Sequence, residues 1–266
     1  MSLTDCEGKK RIMKNQYVGD IGDYGKYGLL RFLAEREIRI GVNWYLTEND
    51  NSTDGKFTDY LSKEAFRIYD PILFDTLKSI AFLEDKTVQM VESTEVIPNA
   101  SYYHALLDFK RKEPLAREWG RRSWFLNSFL FLDDADLIFA DPDNGISFQK
   151  NSRQKDNEKF VLPEEIVEYY GKGKDIVYYC HKGRRRPEDW EMAKAGIRKY
   201  IRDCQILVLT YHRGTQRSYI FVVHPDQYRM YAGLLNRFEN TAWGNLFSRE
   251  KTEGNVLTTD EERNLF

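Results

Sequence analysis

The sequence predicts an α/β fold, a Rossmann-like and mostly parallel sheet with helices on both faces. Short apolar runs, typical of strands buried on both faces, alternate along the chain with longer segments whose apolar residues recur at helical spacing. Strands that alternate with helices usually form a parallel sheet, because each helix carries the chain back to the same end of the sheet.

The strands are predicted from five apolar runs. Four of these runs have the composition of central strands, at residues 40–46, 136–140, 175–180 and 205–210. A fifth run, 218–223, follows the fourth after a short polar turn, and this spacing predicts a C-terminal antiparallel hairpin at the edge of the sheet. Residues 87–92 are a weaker strand candidate.

The helices are predicted from apolar spacing and from stop and start signals. Gly171 ends one helical segment, and Pro187, followed by two acids, begins another. The predicted helices cover residues 24–36, 63–83, 163–170, 187–202 and 225–238. We interpret the chain as a single domain, 1–266, with a helical insertion at about residues 55–86.

Composition limits the possible functions. The 266 residues carry a net charge of −2, so a nucleic-acid partner would have to bind a local basic patch. Three cysteines without CxxC spacing argue against a disulfide scaffold and for a reducing compartment. No secretory signal and no apolar run of membrane-spanning length is recognisable, so we expect a cytoplasmic protein without a membrane partner. The sequence leaves the oligomeric state open.

The functional site is predicted at one edge of the sheet. Sheets of this class bind ligands beyond the carboxyl ends of their strands. Three polar turns follow predicted strands and are expected to cluster there, at residues 47–51, 141–145 and 181–186.

The Asp141-Pro142-Asp143-Asn144 turn is the main catalytic candidate. Asp141, fixed by Pro142 at the end of a buried strand, presents a carboxylate and an adjacent carbonyl, and these two acceptors can hold an amino group. Alternatively, Asp141 and Asp143 bind Mg²⁺, since hard cations take carboxylate oxygens. An ordinary turn is the third interpretation, because Pro, Asp, Asn and Gly are common turn formers.

The N-terminal segment 15–27 is the second candidate. Gly19 permits a tight backbone, and a helix that starts near Tyr24 presents free N–H groups to a ligand. The alternative is a helix start capped by Asp23. Gly25 and Gly28 inside the helix each cost about 1 kcal/mol relative to Ala, which suggests the close approach of a ligand or of another chain segment.

A basic stretch is the third candidate. Residues 181–202 carry eight Lys or Arg and three acids, and phosphate binding is the natural use of such an excess. A solvated helix face is the alternative. The predicted nucleic-acid contacts are Lys182, Arg184, Arg185 and Arg186. Arg213 is added from a second basic turn, whose signal for phosphate binding is weaker.

Two of these segments resemble the J-type 23S rRNA adenine-N6 methyltransferases. Residues 19–27 are similar to that family's Gly-Asn-His-Ala-Asp-Val-Leu-Lys-His segment, with Gly19, Asp23 and Lys26 identical. Asp141 and Pro142 match the first half of its Asp-Pro-Pro-Tyr motif. The resemblance implies a class I methyltransferase-like fold that uses S-adenosylmethionine. The residues it implies for cofactor binding are Tyr17, Gly19, Asp20, Asp23 and Lys26, joined by Glu48 after the first strand; Asp141, Pro142 and Asn144 are implied for catalysis.

The chain departs from that pattern at two places. Asp143-Asn144 replaces Pro-Tyr, so the ring that would stack on adenine is absent from its usual position, where stacking is worth about 1–3 kcal/mol per base. Phe148 and Tyr17 are the two candidates for a replacement ring. The first strand is followed by 47–51 rather than a Gly-rich turn. The leading hypothesis is a methyltransferase-like protein acting on nucleic acid or a nucleotide. The alternatives are an Mg²⁺-dependent nuclease or phosphotransferase, and a degenerate fold that binds nucleic acid or a protein.

Overall fold

A computed structural model describes residues 18–47, 57–83, 86–109, 111–183 and 185–252. Seven strands form one sheet in the order β2-β1-β3-β4-β6-β5-β7. The strands are β1 (Ile40–Asn43), β2 (Ser101–Tyr103), β3 (Leu137–Ala140), β4 (Asp175–His181), β5 (Gln205–Tyr211), β6 (Arg217–Val223) and β7 (Phe247–Glu250).

The sheet is parallel through its first four strands. β1 pairs with β2 on one side and with β3 on the other, and β3 pairs with β4, all in parallel. β6 is antiparallel and lies between β4 and β5, and β7 pairs antiparallel with β5. The predicted β5–β6 hairpin therefore exists, but it does not form the edge as expected, because β7 covers β5.

Helices cover both faces of this sheet, so the mixed α/β prediction is confirmed. The helices are α1 (Ile21–Ala34), α2 (Pro71–Ala81), α3 (Val88–Ser93), α4 (Pro114–Phe131), α5 (Pro163–Gly171), α6 (Pro187–Ala195) and α7 (Tyr228–Glu239). One apolar core joins α1, α2, α3 and α7 to the sheet, and a second core joins α4, α5 and α6 to the opposite face.

Several boundaries differ from the predictions. The weak strand candidate at 87–92 is helix α3. The predicted helix 63–83 becomes helical only at Pro71, because Pro71 occupies the first turn and Asp70 caps it by accepting the Leu73 N–H. The segment before it forms two short 3-10 turns, Asp59–Ser62 and Glu64–Phe66. The predicted helix 187–202 ends at Ala195 and continues as a 3-10 turn, Gly196–Lys199.

The 18-residue helix α4 was not predicted. Its buried face carries Arg117 and Arg121 where apolar residues would normally mark a core-facing helix, so the apolar spacing is interrupted. β2 and β7 were also missed, because runs of three and four residues carry little periodic signal.

The glycines of α1 allow close packing against other parts of the chain. A Cβ at Gly25 would lie 2.7 Å from the Tyr211 ring, and one at Gly28 would overlap the Trp243 ring. The close approach that these glycines predicted is thus made by chain segments. None of the helices in the described ranges combines the length and apolar composition that a bilayer crossing requires.

Candidate functional site

The carboxyl ends of β1, β3 and β4 lie at one edge of the sheet. In the parallel ladder, Asn43 pairs with Ala140, and Ala140 pairs with Tyr178, three residues before the end of β4. Leu46 and Asp141, which follow β1 and β3, line the same cavity. Of the three predicted turns, Thr47 and Asp141 line this cavity, and Arg185 reaches the second turn by donating to the Asn144 carbonyl.

Lys26 occupies the centre of this edge. Its Nζ lies 2.7 Å from Asp23 Oδ1 and 2.8 Å from Asp141 Oδ2. The same ammonium group lies 4.9 Å from the centre of the Tyr27 ring and 5.2 Å from that of the Trp44 ring. Burial disfavours the charged amine, but the two carboxylates outweigh it and raise the pKa of Lys26 well above its ordinary value. Lys26 is therefore a fixed cation at the end of β3.

Asp141 is held by its backbone and its side chain. Its N–H donates to the Asn43 carbonyl at 3.0 Å, which continues the β1–β3 ladder by one residue. Burial raises the pKa of Asp141, and the adjacent Lys26 opposes that rise. The carboxylate therefore has a set orientation and a cation in contact with Oδ2.

The turn before α1 is shaped by Asp20. Asp20 Oδ1 accepts the Asp23 N–H at 2.8 Å, so Asp20 is the N-cap, and not Asp23. Asp20 Oδ2 pairs with Arg217 at 3.0 Å, and burial raises the pKa of Asp20. Gly19, at φ 82°, donates its N–H to Asp23 Oδ2 and accepts the Tyr60 hydroxyl through its carbonyl. Gly19 and Asp20 thus build the turn, while Asp23 and Lys26 face the cavity.

The cavity between these segments is small. Its volume is about 60 Å³, whereas sites for organic ligands usually occupy roughly 300–1,000 Å³. The described residues that line it are Val18, Asp23, Lys26, Tyr27, Trp44, Tyr45, Leu46, Thr47, Val88, Asp141 and Asp143. Its walls are thus mainly apolar or aromatic, with three carboxylates and one ammonium group.

The turn after β1 is braced by a buried ion pair that sequence reasoning missed. Tyr45 has a positive φ of 49°, which is rare for a bulky residue, and its hydroxyl donates to Glu165 Oε2 at 3.0 Å. Glu165 forms a two-point pair with Arg121 at 2.8 and 2.9 Å. Arg121 also donates to the Asn157 and Phe160 carbonyls. The sequence signal that could have revealed this ion pair is an arginine at a core-facing position of a helix.

The rest of the 141–145 turn is structural in part. Pro142 is buried, and Asp143 lines the cavity. The Asn144 N–H donates to the Lys159 carbonyl, and its own carbonyl accepts from Arg185, both at 2.9 Å.

Phe148 does not take the place of the missing stacking ring. It stacks on Tyr200 with 6.0 Å between ring centres, and it is not among the residues that line the cavity. Tyr17, Glu48 and Arg184, all predicted site residues, lie outside the described residues.

The predicted basic patch is partly neutralised within the chain. Lys182 pairs with Glu250 at 3.3 Å and lies over the Trp190 ring. Arg186 pairs with Asp189 at 2.9 Å on an exposed surface. Arg213 lies exposed in the β5–β6 turn, which follows β5 at the same edge of the sheet.

The metal hypothesis gains no third ligand. Within the described part of the chain, no group of three His, Cys, Asp or Glu side chains is arranged to hold a metal ion. Asp141, one of the two proposed ligands, contacts the ammonium group of Lys26 instead.

No protein-family model matches the chain, and no curated protein is significantly similar to it. Among solved structures, protein LPL1258 from Legionella pneumophila, of the family described as DUF519, matches with a TM-score of 0.41. The match covers 89% of this chain and 95% of that one, at 11% sequence identity.

Proposed function

We propose that the chain is an S-adenosylmethionine-dependent methyltransferase-like enzyme that acts on an amino group of a nucleic acid or a nucleotide. One observation carries this proposal. Lys26 belongs to the N-terminal segment and Asp141 to the Asp-Pro turn, the two segments that resemble the J-type methyltransferases, and the side chains meet at 2.8 Å. The class I methyltransferase-like fold is part of the same proposal, supported by the parallel strands and the antiparallel β5–β6 pair.

Asp141 is the residue that we assign to the target amine. Methyl transfer needs the nitrogen lone pair directed at the donor, and hydrogen bonds from the amine to fixed acceptors achieve this orientation. In this proposal, Asp141 Oδ1 and the Pro142 carbonyl are the two acceptors, and Asp141 lines the cavity. Lys26 holds the other carboxylate oxygen in place and opposes the rise in the pKa of Asp141 that burial causes.

The cofactor would supply the electrophilic methyl group. The apolar and aromatic walls suit the nucleoside part of the cofactor, while Asp23, Tyr27 and Trp44 already contact the Lys26 ammonium group. The volume of about 60 Å³ fits only the part of the cofactor next to Asp141, so the remainder would lie outside this cavity.

The position of the basic residues is the support for a nucleic-acid substrate in this proposal. Arg185 connects the turn after β4 to the Asp141–Asn144 turn through the Asn144 carbonyl. Arg186 and Arg213 are exposed beyond the ends of β4 and β5, where phosphates of a bound strand would pass.

A degenerate binding module is the second candidate, and one observation favours it. The turn after β1 is filled by the buried side chains of Trp44, Tyr45 and Leu46, where the family resemblance implies a Gly-rich bed for the cofactor. The metal-dependent nuclease remains the third hypothesis.

Titration calorimetry with S-adenosylmethionine and S-adenosylhomocysteine tests the proposal directly. The wild type should bind both, Lys26→Met should bind them more weakly, and Lys78→Met, on α2, is the matched control. Transfer of a labelled methyl group to RNA or nucleotides should persist in chelator. Absence of cofactor binding would favour the binding module, and nucleic-acid cleavage that chelator stops would favour the nuclease.

A further inference from the structure

Helix α4 carries a stripe of large apolar side chains on its outer surface. Leu115, Trp119, Leu126 and Leu130 are 59%, 73%, 41% and 72% exposed. At 100° per residue, the four side chains fall within an arc of about 60°, the width of a coiled-coil seam. Solvent-exposed aromatic and aliphatic side chains in such a line usually mark a protein interface.

The spacing of this stripe is the same in both directions along the helix. The intervals are four, seven and four residues, so the pattern is symmetric about the point between Arg122 and Ser123. In an antiparallel pair of identical helices related by a two-fold axis, Leu115 would face Leu130 and Trp119 would face Leu126. The small Ser123 lies beside that axis, where a close approach of two helices needs a small side chain.

The charges beside the stripe are already paired within the chain. Glu118 contacts Arg153 at 2.8 Å, and Arg122 pairs with Glu168 on α5. A partner therefore needs no charged side chains to compensate Glu118 and Arg122. A second copy satisfies this condition, because the same two residues are already paired in it.

The stripe alone supplies less area than a standard interface buries, and the groove beside it extends the contact surface. A large aromatic side chain such as Trp119 can bury roughly 150–250 Å². With the three partly exposed leucines added, the stripe offers on the order of 500 Å² per chain. A standard interface needs about 800 Å² per partner. A groove of about 440 Å³ beside Leu115 and Trp119 is the surface next to the stripe on the α5 side.

We infer that the chain forms a homodimer through α4, with the two α4 helices antiparallel about a two-fold axis next to Ser123. This inference is independent of the proposed enzymatic function. It places the interface on the sheet face that carries α4, α5 and α6, opposite the face on which α1 and α2 lie.

Sedimentation equilibrium over a dilution series tests this inference. The wild type should approach twice the mass of the chain at high concentration, and Trp119→Asp or Leu126→Asp should shift it to the monomer. Ile72→Asp is the control, because Ile72 is 69% exposed but lies on α2. A monomeric wild type, a dimer unaffected by both stripe variants, or a dimer equally weakened by Ile72→Asp would overturn the inference.

Cysteine cross-linking tests the two-fold geometry. Under mild oxidation, Ser123→Cys should form a disulfide-linked dimer, because two positions beside the axis come close enough for a disulfide. Asn127→Cys, exposed on the same helix but outside the stripe, should not cross-link above the wild-type background. Efficient cross-linking of Asn127→Cys with none of Ser123→Cys would exclude this arrangement.

Discussion

Lys26 and Asp141 lie 115 positions apart in the sequence, and their side chains form an ion pair with an N–O distance of 2.8 Å. The pair connects the first helix of the chain to the end of a central strand. Because Lys26 also contacts Asp23, one ammonium group fixes the position of two carboxylates. Such an arrangement can serve catalysis, the stability of the fold or both, and substitutions at the site separate these roles.

Asp141 and Asp143 should differ sharply in their effect on methyl transfer. Asp141→Asn replaces an acceptor oxygen with a donor group facing the amine, and the rate should fall at least ~10²-fold, as expected for the loss of a fixed transition-state contact. Asp143→Asn should leave the rate nearly unchanged. Single-turnover methyl transfer with both variants measures this, and equal losses would point to a metal site shared by the two carboxylates.

The rate of methyl transfer should fall in acid at a higher pH than an ordinary aspartate would give. Burial raises the pKa of Asp141 above its ordinary value of 3.8, and only the ionised carboxylate accepts from the amine. The rate is therefore lost as the pH falls through the raised pKa. The contribution of Asp141 to stability should change in the opposite sense, because a carboxyl group with a raised pKa in the folded state favours folding while protonated, and this contribution is lost as the pH rises through that pKa.

The Lys26→Met variant checks the cause of this loss of rate in acid. In the variant, the rate should begin to fall at a still higher pH. The substitution removes the cation that holds down the pKa of Asp141, so the carboxyl group gains its proton at a higher pH. The pH profile of the single-turnover rate measures the shift, with Lys78→Met as the control. A profile that moves down or stays in place would show that Lys26 does not act on Asp141.

Sequence reasoning was most successful where one physical signal dominates. The buried runs before Asp141 and around β4 and β5 are continuous apolar stretches, and they were located within one or two residues. Helix α4 was not predicted because Arg121 lies inside the core, where Glu165, a residue distant in the sequence, neutralises its charge. The contact between Lys26 and Asp141 was not predicted. Lys26 lies in α1, outside the three turns that were expected to cluster, and local sequence does not encode which side chains pair across the fold.

The arginines after β4 should contribute to the salt dependence of nucleic-acid binding. Replacing Arg184, Arg185 and Arg186 together with Ala should lower the slope of log K against log salt by about 0.7–0.9 for each phosphate that the arginines neutralise. Arg229→Ala with Arg237→Ala, on exposed positions of α7, provides the control. Fluorescence anisotropy with labelled RNA measures the slope, and an unchanged value would assign the three arginines to an ordinary solvated surface.

Glu165→Gln should be among the most destabilising substitutions in this chain. Arg121 is almost fully buried, and Glu165 is its carboxylate partner, so the variant leaves a buried guanidinium charge uncompensated at a cost of about 3–5 kcal/mol. Asp75→Asn, which breaks the exposed pair with Arg67, should cost little, because exposed pairs are weak. Urea unfolding of the two variants and the wild type measures the difference, and equal midpoints for all three would contradict this role of the buried pair.

Tyr45→Phe separates the support of the turn from the stability of the core. It removes the hydroxyl that donates to Glu165 but keeps the Arg121–Glu165 pair, so the free energy of unfolding should fall by only about 0.5–1.5 kcal/mol. Tyr45 has a positive φ and lines the cavity, so the loss of this hydrogen bond should loosen the turn and weaken cofactor binding. Urea unfolding and cofactor titration on the same preparation measure the two effects. Unchanged cofactor affinity in Tyr45→Phe would show that the hydrogen bond from Tyr45 to Glu165 has no part in positioning the turn after β1.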